Sequence, residues 1–269
     1  MRCRYLSDLH LETQSFDFTL PKGDVLIIAG DLCHARCLDP KCFDRYGIEQ
    51  RGRVLAFIEQ AVKNFTHVLA IAGNHEHYDG VFDNTIELMR LNLPGVTVLN
   101  NQAINIGDVK FFGATLWTDF DGGSAEVINK VRRRIGDYFF VKKCSGIADT
   151  PFVRFQPEDA LKEHRTAWNA IKLAATAEPN KQTVIITHHA PSLRGLDGRF
   201  AGNGLDTAYA SSLDKQIETF QNVPVWVHGH THIAKSYRVG NTAVRSNALG
   251  FASSGKAVSG FSVRAGFEL

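Results

Sequence analysis

The chain has 269 residues, of which 44% are hydrophobic and 22% are charged. These fractions are typical of a globular protein and exclude an intrinsically disordered chain. The net charge of +2 argues against a protein that coats nucleic acid or an anionic membrane surface. The apolar runs are all shorter than the roughly 18 residues that a membrane span requires.

Short apolar runs alternate with amphipathic stretches along most of the chain. The runs predict buried strands at Arg2–Ser7, Asp24–Ala29, His67–Ala72, Val96–Asn100, Val109–Trp117, Thr183–Thr187 and Val223–Val227. Apolar residues at helical spacing predict one helix through Val54 to Phe65 and another through Leu161 to Ala175, which Pro157 would start.

The pattern after Gly229 changes to strands without helices. The predicted strands there are Ala234–Val239, Thr242–Ser246 and Phe261–Phe267. Strand–helix units followed by a β-rich end predict sheets packed together with helices outside. Because no linker interrupts the pattern, we predict a single α/β domain over residues 1–269.

Side chains that can bind metals follow the carboxyl ends of five predicted strands. They are Asp8 and His10, Asp31, Asn74 and His75, His188, and His230 and His232. In open α/β sheets ligands bind at this edge. Five loops are therefore expected to direct these side chains toward one rim.

The number and chemistry of these side chains predict a site for two divalent cations. About seven oxygen and nitrogen ligands are too many for one ion, whereas two ions can share a carboxylate and a bridging hydroxide, as in enzymes that cleave phosphate esters. Carboxylate and imidazole ligands suit Mn, Fe, Zn or Ni. A purely structural role would bury several charges at one edge without a counter-ion, which is unfavourable.

These blocks together resemble the signature of the calcineurin-like metallophosphoesterases. They read Asp8-x-His10, Gly30-Asp31, Gly73-Asn74-His75-Glu76, His188 and Gly229-His230-x-His232. The resemblance extends over most of the chain. It implies a four-layer α/β/β/α sandwich with a two-metal site at the sheet rim, and an enzyme that hydrolyses phosphate esters.

The resemblance also assigns a role to each side chain. The first ion would be held by Asp8, His10 and His232 and the second by Asn74, His188 and His230, with Asp31 bridging both. His75 would contact the scissile phosphate and protonate the leaving oxygen, a general-acid role that suits imidazole. His188 is expected as the ligand rather than His189, because family members with one histidine here carry it directly after the equivalent of Thr187.

The substrate is less closely specified than the reaction. Protein phosphatases of the superfamily carry an Asp-Arg pair where this chain has His34 and Ala35, and this difference favours a diester or a nucleotide. Asn74 and His75 are expected to contact the phosphate. His34, at the first position of the missing Asp-Arg pair, is a further side chain that could face the site.

A Gly-rich segment over residues 192–207 follows the His188 block. It is typical of a loop beside an active site, where Arg194 or Arg199 could contact the substrate. A plain surface loop is the alternative.

Three kinds of function are compatible with this pattern. The favoured one is a small-molecule phosphodiesterase or phosphatase that acts on a phosphate ester or a nucleotide. A nuclease is less favoured, because nucleases of the family usually add a capping domain and a basic channel. A non-enzymatic binding module is least favoured, because all expected ligands are present. No membrane partner is expected.

The five cysteines predict a reducing environment. An odd number without an apolar leader indicates free thiols and a cytoplasmic protein. Cys33, Cys37 and Cys42 lack the paired C-x2-C spacing of most structural zinc sites. They therefore favour free thiols in a surface loop over a separate zinc site.

Overall fold

A computed structural model of the protein describes residues 1–198, 202, 204–252 and 256–269. The strands are β1 (Arg2–Leu6), β2 (Gly23–Ala29), β3 (Phe65–Ile71), β4 (Val96–Val98), β5 (Gln102–Ile106), β6 (Val109–Ala114), β7 (Lys142–Ile147), β8 (Thr150–Arg154), β9 (Thr183–Thr187), β10 (Val225–His228), β11 (Ala234–Val239), β12 (Thr242–Asn247), β13 (Gly250–Phe251), β14 (Lys256–Ala257) and β15 (Gly266–Glu268). The helices are α1 (Arg45–Asn64), α2 (Phe82–Asn92), α3 (Phe120–Gly123), α4 (Ala125–Arg132), α5 (Asp137–Phe140), α6 (Pro157–Thr176), α7 (Asp206–Tyr209) and α8 (Asp214–Ile217). Short 3₁₀ turns occur at Ala35–Leu38, His75–His77 and Leu193–Gly195. In this part of the chain, no helix combines the length and hydrophobicity that a bilayer crossing requires.

Two sheets pack face to face at the centre of the fold. The first has the strand order β15-β1-β2-β3-β4 and the second has the order β11-β12-β10-β9-β6-β5. β1, β2 and β3 are parallel to one another, as are β6, β9, β10 and β12. Helices α1 and α2 cover the outer face of the first sheet, and α6 and α8 cover that of the second. The predicted four-layer α/β/β/α sandwich is confirmed.

The central strands are apolar on every residue because both of their faces are buried. In β2, Val25 and Ile27 point into the space between the sheets, whereas Leu26 and Ile28 pack against the α1 side. In β10, Val225 and Val227 join the same inter-sheet core, and Trp226 packs toward α6. Because successive side chains of a strand point to opposite faces, each continuous hydrophobic run contributes to two apolar layers. The two sheets together therefore form three layers, one between the sheets and one beneath the helices on each side.

The two long helices begin with the signals that their sequences carry. Asp44 caps α1 by accepting a hydrogen bond from the backbone N–H of Gly47. Pro157 opens α6, where Gln156 and Asp159 form a reciprocal capping box. Both helices predicted from periodicity are confirmed.

Some predicted elements have different bounds. The predicted strand over residues 261–267 is wrong for most of its length, because β15 begins only at Gly266. The backbone of Ser262 bonds instead, through both its N–H and its C=O, to the side-chain amide of Asn247. Helix α2 and the hairpin β7–β8 were not predicted. Helix α2 buries only Thr85 and Met89, and the hairpin is mostly exposed, so neither has a strong apolar period.

The cysteines are free thiols, as predicted. Cys33 and Cys37 are fully buried, so the prediction of a surface loop is wrong for both. Cys42 is partly exposed and donates to the carboxylate of Asp44. Among the described residues, no group with metal-binding geometry includes a cysteine.

Candidate metal centre

Two groups of side chains that share Asp31 meet at the carboxyl ends of the parallel strands, and a third group, His10, Glu12 and His75, adjoins them. In each group the nitrogen and oxygen atoms lie within 4.8 Å of one another; the first is Asp8, His10, Asp31 and His232, and the second is Asp31, His188 and His230. The Asn74 Oδ1 lies 3.0 Å from the His188 Nε2 and so adds an oxygen to the second group. The seven side chains predicted as ligands therefore converge, and Asp31 belongs to both groups.

His10 and His188 direct their Nε2 atoms toward the centre of these groups. The His10 Nδ1 lies 2.8 Å from a carboxylate oxygen of Glu12, and the His188 Nδ1 lies 2.9 Å from the carbonyl oxygen of Ala29. Each Nδ1 therefore carries the proton, which leaves the Nε2 as the ligand atom. The two Nε2 atoms of His10 and His232 are 3.0 Å apart. These donors fit divalent ions of the borderline type.

Most of the ligand residues are held in an unusual backbone conformation. Positive φ angles between 47° and 66° occur at Asp8, His10, Asp31, His230 and His232. Non-glycine residues rarely adopt this region, and each costs about 1 kcal/mol or more. The strain is concentrated where the loops turn sharply out of the strands, which is what directs the side chains over the sheet edge.

A buried carboxylate fixes the two central loops to each other. The side chain of Glu76 accepts backbone hydrogen bonds from Gly73, Asp31, Leu32 and Cys33 at 2.5 to 3.2 Å. Burial, followed by the nearby charge of Asp31, raises the pKa of Glu76 to about 7. Glu76 therefore positions Asp31 through the main chain rather than as a ligand.

His75 lies beside both groups and outside the ligand sets that share Asp31. Its backbone N–H donates to Asp31 Oδ1 at 2.9 Å, and its Nδ1 lies 3.1 Å from Glu12 Oε1. Its ring stacks on Tyr78, with centroids 4.3 Å apart and planes at 18°. The side chain is 19% exposed and faces a cavity.

The carboxylates around His75 and His188 favour the protonated forms of these two imidazoles when no ion is bound. Burial alone would lower the pKa of His75, but the charge of Asp31 and the hydrogen bond to Glu12 outweigh burial and raise the pKa to about 9. For His188 the same opposition of burial and Asp31 gives a pKa of about 10. Burial raises the pKa of Glu12, but its bonds to His10 and His75 outweigh this and lower it to about 2.

A cavity of about 440 Å³ opens above the ligands. Its floor includes Asp31, Asn74, His75, His230 and His232. Its walls are formed by Tyr78, residues 134–137, Leu196, Asp197, Asp206, Tyr209 and Phe251. The space exceeds what one phosphate group needs, so an organic group can be accommodated next to it.

The family model of the calcineurin-like phosphoesterases matches residues 1–234 of this chain. The chain belongs to this family. The resemblance drawn from the sequence blocks is thereby confirmed, and metal-dependent hydrolysis of phosphate esters is the reaction class of this phosphoesterase.

One protein sequence and one solved structure are similar to this phosphoesterase. Uncharacterized protein L509 of Acanthamoeba polyphaga mimivirus is 24% identical over 276 residues, which cover 92% of this chain and 90% of that protein. The crystal structure of phosphopantetheinyl hydrolase (PptH) from Mycobacterium tuberculosis superposes with a TM-score of 0.64 at 16% identity. That match covers 94% of this chain and 90% of the other, and it supports the fold.

The arginine predicted to contact the substrate lies elsewhere in this phosphoesterase. Arg194 does not line the cavity in the described part of the chain; its guanidinium lies over the ring of Tyr237 and 3.9 Å from Asp214. Arg199 lies outside the described residues. The cavity is lined instead by Arg134.

The neighbouring histidines take supporting positions. His189 packs against Trp117 and His230, and burial lowers its pKa to about 3. His34 lies near the site, with its ring 6.0 Å from that of His75, but it is absent from the described lining of the cavity. His228 is buried and belongs to neither ligand group.

Two acidic residues of the site were missed by sequence reasoning. Glu12 follows His10 by two residues, so the alternation Asp8-x-His10-x-Glu12 was the available signal. Asp137 bonds to Asn74 and Tyr78 from more than 50 positions along the chain, in a segment without a recognisable motif.

Proposed function

We propose that the protein is a phosphodiesterase that cleaves small phosphate diesters, nucleotide diesters among them, with two divalent ions as cofactors. The observation that carries this proposal is the pair of ligand groups that share Asp31 beneath an open cavity. A shared carboxylate between two sets of donors is the arrangement that two-metal hydrolysis requires. Manganese is a fitting ion, as are iron, zinc and nickel, because the donors are oxygen and nitrogen.

The ions, when bound, supply positive charge to the phosphate oxygens and acidify a water molecule for attack. The chain supplies the remaining parts of the reaction. Asp31 joins the two ligand groups and accepts the backbone N–H of His75, so one residue sets the distance between the ligands and the acid. Asn74 and His75 line the cavity floor, where the phosphate would bind.

His75 is the proposed general acid. Glu12 holds its Nδ1, so that the Nε2–H is left to donate to the leaving oxygen. The same carboxylate oxygen also holds His10. Glu12 therefore sets the tautomer of the ligand His10 and stabilises the protonated form of the acid His75.

The charges of the cavity wall support a small substrate rather than a nucleic acid. Arg134 is the one lysine or arginine among the described residues that line the cavity, whereas Asp137, Asp197 and Asp206 are acidic. A polyanion needs several cations along its path. The absence of an arginine at the positions of His34 and Ala35 further favours a diester monoanion over a monoester dianion.

A metal-free preparation assayed with a chromogenic phosphodiester and its monoester tests the proposal. Mn²⁺, Ni²⁺, Zn²⁺ and Mg²⁺ are added in turn, and Asp108→Asn, in the exposed turn between β5 and β6, serves as a matched control for Asp31→Asn. We expect metal-dependent cleavage that favours the diester and is lost in Asp31→Asn alone. A clear monoester preference would make the protein a phosphomonoesterase, and the absence of cleavage with every ion would contradict an enzymatic role.

A further inference from the structure

We propose that Asp137 is a positioning residue that locks the side-chain amide of Asn74 with its oxygen toward the metal ions. The inference rests on the proposed role of Asn74 as a ligand. Asp137 begins α5, is 3% exposed, and reaches the site from a segment remote in sequence from all the ligand blocks. None of the sequence blocks that resemble the family signature includes it.

The amide of Asn74 has two chemically different ends. Its Nδ2 donates to Asp137 Oδ1 at 2.8 Å, and its Oδ1 lies 3.0 Å from His188 Nε2, within the second ligand group. Only the oxygen can bind a cation, because the NH₂ group has no lone pair to offer. Rotation of the amide by half a turn would therefore remove one ligand without moving the backbone.

Asp137 makes that rotation unfavourable. A carboxylate accepts hydrogen bonds and donates none, so the flipped amide would place its oxygen against an anionic oxygen. Because the bond from Asn74 is buried and charge-assisted, it is stronger than one between neutral groups. Partners that orient metal ligands typically change metal affinity by about 10- to 100-fold.

Asp137 is itself held in place by its surroundings. The Tyr78 hydroxyl donates to the same Oδ1 at 2.6 Å. Backbone hydrogen bonds from Asp79 to Phe140 and from Lys142 to Gly80 join the two segments. A Cβ added at Gly136 would lie 3.0 Å from the Tyr78 hydroxyl, so the backbone approaches Tyr78 closely at this point. The acceptor is thus fixed by the main chain on both sides.

The test measures Mn²⁺ affinity of the metal-free protein by competition with a chelating dye, without any substrate. Asp137→Asn and Asp137→Leu nearly preserve the shape of the side chain, but only asparagine keeps an acceptor oxygen. We expect a loss of about 10- to 100-fold for the leucine variant and a smaller loss for the asparagine variant. Asp108→Leu, in the exposed turn between β5 and β6, is the matched control and should retain the wild-type affinity.

A double-mutant cycle with Asn74→Ala establishes the route of the effect. If Asp137 acts through Asn74, either substitution at Asp137 should cost little further affinity once Asn74 is alanine. Wild-type affinity in a folded leucine variant, equal losses in the asparagine and leucine variants, or full additivity with Asn74→Ala would overturn the proposal. If the leucine variant does not fold, the cycle with Asp137→Asn gives the same decision.

The outcome is independent of catalysis. Failure to hydrolyse any ester would contradict the proposed function, but the measured Mn²⁺ affinities would still decide the role of Asp137. Conversely, an active enzyme with unaltered Mn²⁺ affinity in the Asp137 variants would contradict the positioning role alone.

Discussion

At the scale of single residues, the site separates ligands from side chains that set their chemistry. Asp31 is shared by the two ligand groups, whereas Glu12 and Glu76 form hydrogen bonds to His10, His75 and the Asp31 backbone. Burying carboxylates is unfavourable unless donors surround them. Their presence at the site is explained by the donors that they orient.

His75→Ala should separate metal binding from proton transfer. We expect the variant to bind metal ions normally but to lose about 100- to 10,000-fold in turnover of esters with poor leaving groups, because a general acid contributes this much. Esters with a nitrophenolate leaving group should lose much less, since that group leaves without a proton. His67→Ala, at an exposed position of β3, is the matched control. Equal turnover of the variant and the wild type on a poor leaving group would refute the assignment.

Glu12→Gln should affect both histidines that the carboxylate holds. We expect turnover to fall by about 10- to 100-fold, because a neutral amide oxygen accepts hydrogen bonds from the two imidazoles more weakly than a carboxylate does and does not stabilise a protonated His75 by charge. The measurement is kcat and KM on esters of different leaving groups, beside Mn²⁺ affinity. A change confined to KM would show that Glu12 serves substrate binding instead.

At the scale of the elements, the site depends on how closely two loops approach each other after β2 and β3. A Cβ added at Gly73 would lie 2.7 Å from the Asp31 backbone nitrogen and 2.8 Å from the His188 ring. Gly30, with φ of +86°, is equally close to the backbone of Gly73. The glycines before these two ligand residues therefore allow the ligands to meet.

Gly73→Ala should disrupt the site, whereas Gly52→Ala should stabilise the fold. The first adds a methyl group into contact with Asp31, which costs about 1 to 3 kcal/mol as overpacking and displaces a shared ligand. Gly52 lies within α1, and a Cβ there meets no atom within 4 Å, so alanine should add about 0.5 to 1 kcal/mol of stability. Thermal unfolding and Mn²⁺ affinity are measured for both variants, to check that Gly73→Ala is destabilised and binds metal more weakly and that Gly52→Ala is stabilised. Full metal affinity in Gly73→Ala would show that the loops can separate without loss.

At the scale of the whole molecule, the sequence predicts the layers and the ligands well, because both depend on local patterns. Doubly buried strands such as β2 are apolar throughout, and each ligand follows such a strand. The partner Asp137 could not be predicted, because its bond to Asn74 exists only when α5 lies against the 3₁₀ turn at His75–His77. The sequence also did not predict that Arg134, rather than Arg194, lines the cavity. That position depends on how the segments carrying the two arginines fold in three dimensions.

Metal affinity should rise with pH across the neutral range. Without an ion, Asp31 outweighs burial and raises the pKa of His188 to about 10, so near neutral pH this ligand carries a proton that a metal ion must displace. Raising the pH reduces this cost, by up to about tenfold in affinity per pH unit for each proton released. Competition titrations with Mn²⁺ at several pH values check the direction. A flat profile would mean that the ligand is already neutral.

The most direct test of the account is a titration of the metal-free protein with Mn²⁺ while the bound ions and the diester cleavage rate are measured together. Asp31→Asn is the appropriate variant, because asparagine tolerates the positive φ of 54° at this position and removes only the charge. We predict that the rate develops as the second ion binds, and that Asp31→Asn binds the ions more weakly and is inactive. Full activity with one ion per chain, or an active Asp31→Asn enzyme, would contradict a site built on a shared carboxylate.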